Sequence, residues 1–142
     1  SLHGSPRRID YLGYPANYGF IPQTVLSKES GGDGDPLDAI ILGKVKPRGT
    51  IVSCRLLGIL KLQDNGEQDD KLILTDTDGP MAGVNSLREL DIFFPNVLTI
   101  IRDWFTSYKG PRQVVSYGYA EKEYAKRTLE DSHNQFIEER KK

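Results

Sequence analysis

The apolar positions fall first into short runs. Ile9–Leu12 is a short strand candidate, and Leu37–Leu42 reads as a buried strand. Pro47-Arg48-Gly49 turns the chain into a long strand over Thr50–Leu62, with Gly58 inside it marking a bulge or barrel bend. Asp64-Asn65-Gly66-Glu67 has the composition of a hairpin turn and leads into a strand at Lys71–Leu74. Tyr14-Pro15-Ala16-Asn17-Tyr18-Gly19-Phe20-Ile21-Pro22, with its prolines and aromatics, suits irregular, packed extended chain. Thr75–Gly83 is turn-rich. Ser86 caps one or two helical turns. Val97, Ile101, Trp104, Phe105 and Tyr108 form one stripe and predict a helix over 95–108, with Pro95 in its first turn. Lys109-Gly110-Pro111 stops it. Val114–Tyr117 is a last strand. A charged helix then runs over 120–140, with a narrow stripe through Ala125, Leu129, Ser132 and Phe136. The expected class is mainly β with α (α+β), a small closed sheet with helices packed on it.

The bulk composition narrows the function without selecting it. The 142 residues suit one domain, and 19 Lys+Arg against 20 Asp+Glu leave a net charge of −1. That balance steers the molecule to neither nucleic acid nor membrane. No apolar stretch approaches the ~20 residues of a membrane span, and no signal peptide is visible. The single Cys54 excludes an internal disulfide and reads as a buried thiol, so the reducing cytoplasm is the expected compartment. His3 and His133 read as surface residues.

The chemistry gathers in two acidic groups. Asp33, Asp35 and Asp38 fall within Asp33-Gly34-Asp35-Pro36-Leu37-Asp38, a loop stiffened by proline that feeds a strand. Asp64, Glu67, Asp69 and Asp70 follow in and after the hairpin turn, ahead of Lys71. Either group alone reads as a solvated acidic turn. Two bare carboxylates at about 4 Å repel by roughly 4 kcal/mol at an effective dielectric near 20. A fold that joins them needs a countercharge, and an oxygen-only ligand set suits hard divalent cations, Mg²⁺ foremost. The first group superficially has a calcium-loop pattern, but Pro36 and Leu37 interrupt it and Lys44 stands where a bidentate Glu belongs. A cage of several Asp without His or Cys looks like a multi-Mg²⁺ site that takes an anion, typically phosphate. Lys71, Lys109, Arg7 or Arg8, Tyr18 and Tyr108 are the candidate donors to it. Phosphate-loop, serine-elbow and zincin motifs are absent.

These residues also resemble a known family. Asp33-Gly34-Asp35-Pro36-Leu37-Asp38-Ala39 is similar to the signature of soluble family I inorganic pyrophosphatases, D-[SGDN]-D-[PE]-[LIVMF]-D-[LIVMGAC]. Tyr14–Ile21 resembles the family's Y-P-x-N-Y-G-[YF]-I block, and Asp64 through Asp69 to Lys71 resembles its second acidic segment. Ser107-Tyr108-Lys109 resembles its H-Y-K element, and the likeness covers residues 7 to about 119. The resemblance implies a five-stranded OB-like β-barrel with flanking helices. It implies Mg²⁺ ligation by Asp33, Asp35, Asp38, Asp64 and Asp69, with Asp35 also the base on the attacking water. It implies phosphate binding by Lys71, Tyr108, Lys109 and either Arg7 or Arg8, and a hydrogen bond from Tyr18 near the nucleophile. It implies Mg²⁺-dependent hydrolysis of pyrophosphate by a homo-oligomer, a hexamer if bacterial. The chain departs from the family at its front. Six residues precede Arg7, and they lack the family's two Glu and Lys. The expectation is one pyrophosphatase domain over 1–142, N-terminally truncated and without the front strands. Two alternatives stay open: a non-catalytic relative that binds metal or phosphate, and an OB-type nucleic-acid-binding module.

Overall fold

A computed structural model describes residues 9–142. The strands are β1 (Asn17–Phe20), β2 (Asp38–Leu42), β3 (Cys54–Asp64), β4 (Glu67–Gln68), β5 (Lys71–Asp76) and β6 (Val114–Glu121). The helices are α1 (Leu87–Phe93), α2 (Val97–Ser107) and α3 (Lys122–Arg140). The class is mixed α+β: one sheet with flanking helices. The sheet runs β1-β2-β5-β3, with β4 continuing the hairpin and β6 on the other side of β3. β2 and β5 are parallel and the other pairs antiparallel. Among the described residues the sheet does not close on itself, and β1 and β6 are its edges. The expected five-stranded barrel is therefore, over 9–142, an open sheet of six strands, one of them two residues long.

Side chains alternate across this sheet and build two cores. Ile40, Leu57, Leu60, Leu62 and Ile73 pack with Leu87, Leu90, Ile101, Trp104 and Phe105 under α1 and α2. Leu37, Ala39, Ile59, Leu72 and Leu74 pack on the other face with Leu26 and with Ala125 of α3. Covering both faces explains why the central strands read as near-continuous apolar runs. All six residues of β5 are buried, Lys71 and Asp76 among them. Asp76 is held near Lys46, whose Nζ lies 3.0 Å from its Oδ2.

Several boundaries differ from those read in the sequence. Ile9–Leu12 forms no strand. Its backbone instead serves α2, since Leu12 O accepts a 2.8 Å hydrogen bond from Trp104 Nε1. Asn17–Phe20, expected to be irregular, is an edge strand paired with β2. The long strand begins at Cys54 rather than Thr50, and Ile51 before it is 98% exposed. Helix α2 begins at Val97, two residues after Pro95, because Asn96 takes a left-handed backbone at φ 72°. Ser86 does cap α1, its Oγ accepting from Glu89 N at 3.0 Å.

Gly58 marks the irregularity expected of it: the β3–β5 register shifts between Leu56 and Gly58. The reason is space. A Cβ there would lie 2.4 Å from Leu87 Cδ1 and 2.6 Å from the Ala120 carbonyl oxygen, part of the backbone of β6. Gly58→Ala is expected to destabilise the fold by about 1–3 kcal/mol, as overpacking does. A urea midpoint equal to that of the unchanged protein would count against this packing.

Candidate active site

Two strand starts meet at the centre of the site. In the parallel pair β2–β5, Asp38 lies opposite Lys71. The Lys71 side chain is 2% exposed. Its ammonium donates to Asp38 Oδ2 at 2.6 Å, Tyr18 OH at 2.7 Å and Asp69 Oδ1 at 3.0 Å. Tyr18 OH in turn donates to Asp38 Oδ2 at 2.8 Å. The Tyr18 ring is fixed by stacking on Tyr14, centroids 4.9 Å apart. Burial alone would lower the Lys71 pKa, but Tyr18, Asp38 and Asp69 together hold it above the ordinary lysine value. Burial pushes the Tyr18 phenol well above its usual range, so it stays neutral and remains a donor.

The first acidic loop hangs from a short 3₁₀ turn, Lys28–Ser30, capped by the Ser27 hydroxyl. Backbone bonds close it on both sides: Gly34 N to Leu26 O at 2.8 Å and Leu26 N to Asp35 O at 2.9 Å. Gly32 permits the approach, since a Cβ there would sit 2.4 Å from Leu26 O. Asp33 Oδ1 accepts from Asp35 N at 2.9 Å. The loop thus places Asp33 inward and half-buried, and leaves the Asp35 side chain exposed.

The second acidic group curls over the same place. Asp33, Asp64, Asn65, Glu67, Asp69, Lys109 and Gln113 line a cavity of about 240 Å³. Lys109 pairs with Asp64, and Gln113 Nε2 donates to Asp64 Oδ1 at 3.3 Å. Burial and the charges of Asp38 and Asp33 push the Asp69 pKa up to about 6, against the pull of Lys71. Asp33 is raised as well, by burial and by Asp35 and Asp38, although the Asp35 N–H opposes this. Burial thus disfavours the charged form of both carboxyls, with neighbouring carboxylates adding to it, in a cavity lined by four acidic side chains and one lysine.

The expected site residues are distributed as follows. Asp33, Asp64, Asp69 and Lys109 share the cavity; Asp38 and Tyr18 gather around buried Lys71 in a cluster that adjoins it through Asp69. Tyr108 ends α2 and stacks on Trp104, centroids 4.6 Å apart. Asp35 borders the group from solvent. Lys71 is the surprise in placement: it was expected to face phosphate, and it directs its three donors at protein oxygens. Arg7 and Arg8 lie outside the described residues. Glu67, Asn65 and Gln113 line the cavity without having been assigned to it. The hairpin acidity hinted at Glu67, whereas nothing local marks Gln113.

Among the described residues, no three His, Cys, Asp or Glu side chains are gathered tightly enough to hold a metal ion. The carboxylates are instead held by Lys71 and Lys109. Their chemistry nevertheless fits a hard divalent cation: oxygen donors only, with the Asp33 and Asp69 carboxyls pushed up by burial first and by neighbouring carboxylates second.

Comparison with known proteins gives one answer throughout. The family model described as "Inorganic pyrophosphatase" matches residues 6–137. The inorganic pyrophosphatase of Helicobacter pylori strain 26695 is 36% identical over 121 residues, covering 82% of this chain and 67% of that protein. That of Drosophila melanogaster is 38% identical over 110 residues, covering 71% of this chain but 32% of the relative. The chain thus spans about a third of the length of the fly protein. Among solved structures, an N-terminally truncated vacuolar soluble pyrophosphatase of Trypanosoma cruzi, in complex with PPi, superposes with a TM-score of 0.91 at 28% identity, over 98% of this chain and 58% of that one. The recombinant enzyme of T. brucei brucei gives 0.87 at 30% identity, over 94% and 43%.

Proposed function

The chain belongs to the inorganic pyrophosphatase family, and from that premise we propose that it serves Mg²⁺-dependent hydrolysis of inorganic pyrophosphate to two orthophosphates. The observation that carries the reading is the acidic cavity walled by Asp33, Asp64 and Asp69 with Lys109 in it, set against the cluster of Asp38 and Tyr18 around buried Lys71. Asp33, Asp35, Asp38, Asp64 and Asp69 would hold the metal. When bound, Mg²⁺ offsets phosphate charge and lowers the pKa of a water toward neutrality.

The chain's own groups divide the remaining work. Asp35 accepts the proton of the attacking water, with its backbone pinned on both sides and its carboxylate in solvent. Lys109 and Tyr108 hold phosphate oxygens, joined by Arg7 or Arg8. Lys71 reaches a phosphate oxygen by exchanging one of its three present partners for it. Tyr18, kept neutral by burial, donates its hydroxyl hydrogen beside the nucleophile. Fixed cations aimed at oxygens that gain charge favour the transition state over the ground state. The assembly we assign is a homo-oligomer, and the compartment the cytoplasm, in keeping with the free thiol Cys54. No helix of the described residues is long and apolar enough to cross a membrane.

The ligand assignments are tested by Asp38→Asn and Asp69→Asn. Partners that merely orient metal ligands are worth about 10–100-fold in affinity, and a ligand is expected to matter no less. Both variants should require a correspondingly higher Mg²⁺ concentration for half-maximal phosphate release. Unchanged midpoints in both would remove the cage from the account.

A further inference from the structure

We infer that Asp70, buried behind the cavity, is a positioning residue that sets the spacing of the acidic segments by standing in for a sheet carbonyl beneath Leu62. The inference rests on the reading of the cavity as a Mg²⁺ site. It begins with a break in the ladder. Leu60 pairs with Lys71 and Gln63 with Gln68, so the hairpin keeps one register at both ends. Between those rungs the regular pairing lapses. Asp69 N still donates to Leu62 O at 2.9 Å. Leu62 N, however, donates not to a main-chain carbonyl but to Asp70 Oδ1, at 3.1 Å.

The other oxygen of Asp70 is also engaged. Its Oδ2 accepts from Gln68 Nε2 at 2.8 Å. Gln68 N then donates to Gly31 O at 3.0 Å, beside an isolated parallel bridge between Gly32 and Gln68. One carboxylate, 5% exposed, therefore ties together three segments. These are β3 just before Asp64, the hairpin arm that carries Glu67 and Asp69, and through Gln68 the loop that carries Asp33. Neither partner of the Asp70 carboxylate, Leu62 N or Gln68 Nε2, belongs to a residue lining the cavity, so Asp70 acts on the site through the Leu62 backbone and the Gln68 side chain.

This role differs from plain fold support in what it moves. Loss of the brace releases three carboxylate segments relative to one another, and metal affinity depends on their spacing. The experiment is a calorimetric Mg²⁺ titration of the unchanged chain, Asp70→Ala, Asp70→Asn and Gln68→Ala, with thermal midpoints and amide exchange at Leu62. Asp70→Ala is expected to weaken Mg²⁺ binding about 10–100-fold, the range for residues that orient metal ligands. Gln68→Ala should shift it in the same direction. Asp70→Asn should restore the original affinity, because its Oδ1 still accepts from Leu62 N and the Gln68 amide can rotate to meet its Nδ2. Leu62 exchange should quicken in the Ala variant and not in the Asn variant.

Unchanged affinity in folded Asp70→Ala overturns the inference. If that variant does not fold, unchanged affinity in Gln68→Ala, or a loss in Asp70→Asn equal to that of Gln68→Ala, overturns it. Failure of the unchanged chain to bind Mg²⁺ sinks the metal reading instead, and the Leu62 exchange pattern still decides whether Asp70 braces the hairpin.

Discussion

Asp35→Asn is expected to lower pyrophosphate turnover by about 10²–10⁴-fold, the usual contribution of a positioned general base. The fold should survive the change. Asp35 takes part in its loop through its main chain, donating from N to Asp33 Oδ1 and accepting at O from Leu26 N. The side chain itself is in solvent, so an isosteric amide disturbs no packing. Loss of turnover with an unchanged thermal midpoint would separate proton transfer from stability. Near-native turnover in this variant would remove Asp35 from the chemistry and leave its proton to another group.

Lys71→Met should damage the protein in the opposite way, through stability first. The ammonium is enclosed by β2, β5 and the aromatic rings of Tyr18 and Phe105, 5.2 and 5.4 Å from its nitrogen. Removing it strands Asp38 and Asp69 at low exposure with no countercharge. Breaking a buried pair from one side costs about 3–5 kcal/mol. For a chain of this size that is a fall of roughly 10–20 °C in thermal midpoint. A fall of only a degree or two would mean that the cluster is far better solvated than its geometry indicates.

The placement of Lys71 also shows what the sequence could and could not convey. Its type and its spacing from Asp64 and Asp69 were visible, and the structure puts it beside Asp69. Its burial was not visible, because it arises from the parallel register that sets Asp38 beside it, a contact across 33 residues. The Asp64–Glu67 turn and the α3 stripe were legible for the converse reason, since both are local. Strand β1 was hidden behind prolines. Its pairing with β2 is reinforced by Asn17, which donates to Lys44 O at 2.8 Å and accepts from Lys46 N at 3.0 Å. No local pattern marks those bonds. Asp70 looked like one more acid in a solvated turn, and only the interrupted ladder at Leu62 gives it a separate role.

The account stands or falls on orthophosphate release from pyrophosphate by the 142-residue chain, followed with Mg²⁺ and then after EDTA. It predicts rapid release that requires Mg²⁺ and stops on chelation. Absence of release from a folded chain that still binds Mg²⁺ would contradict it, and would make the acidic cavity a binding site without turnover.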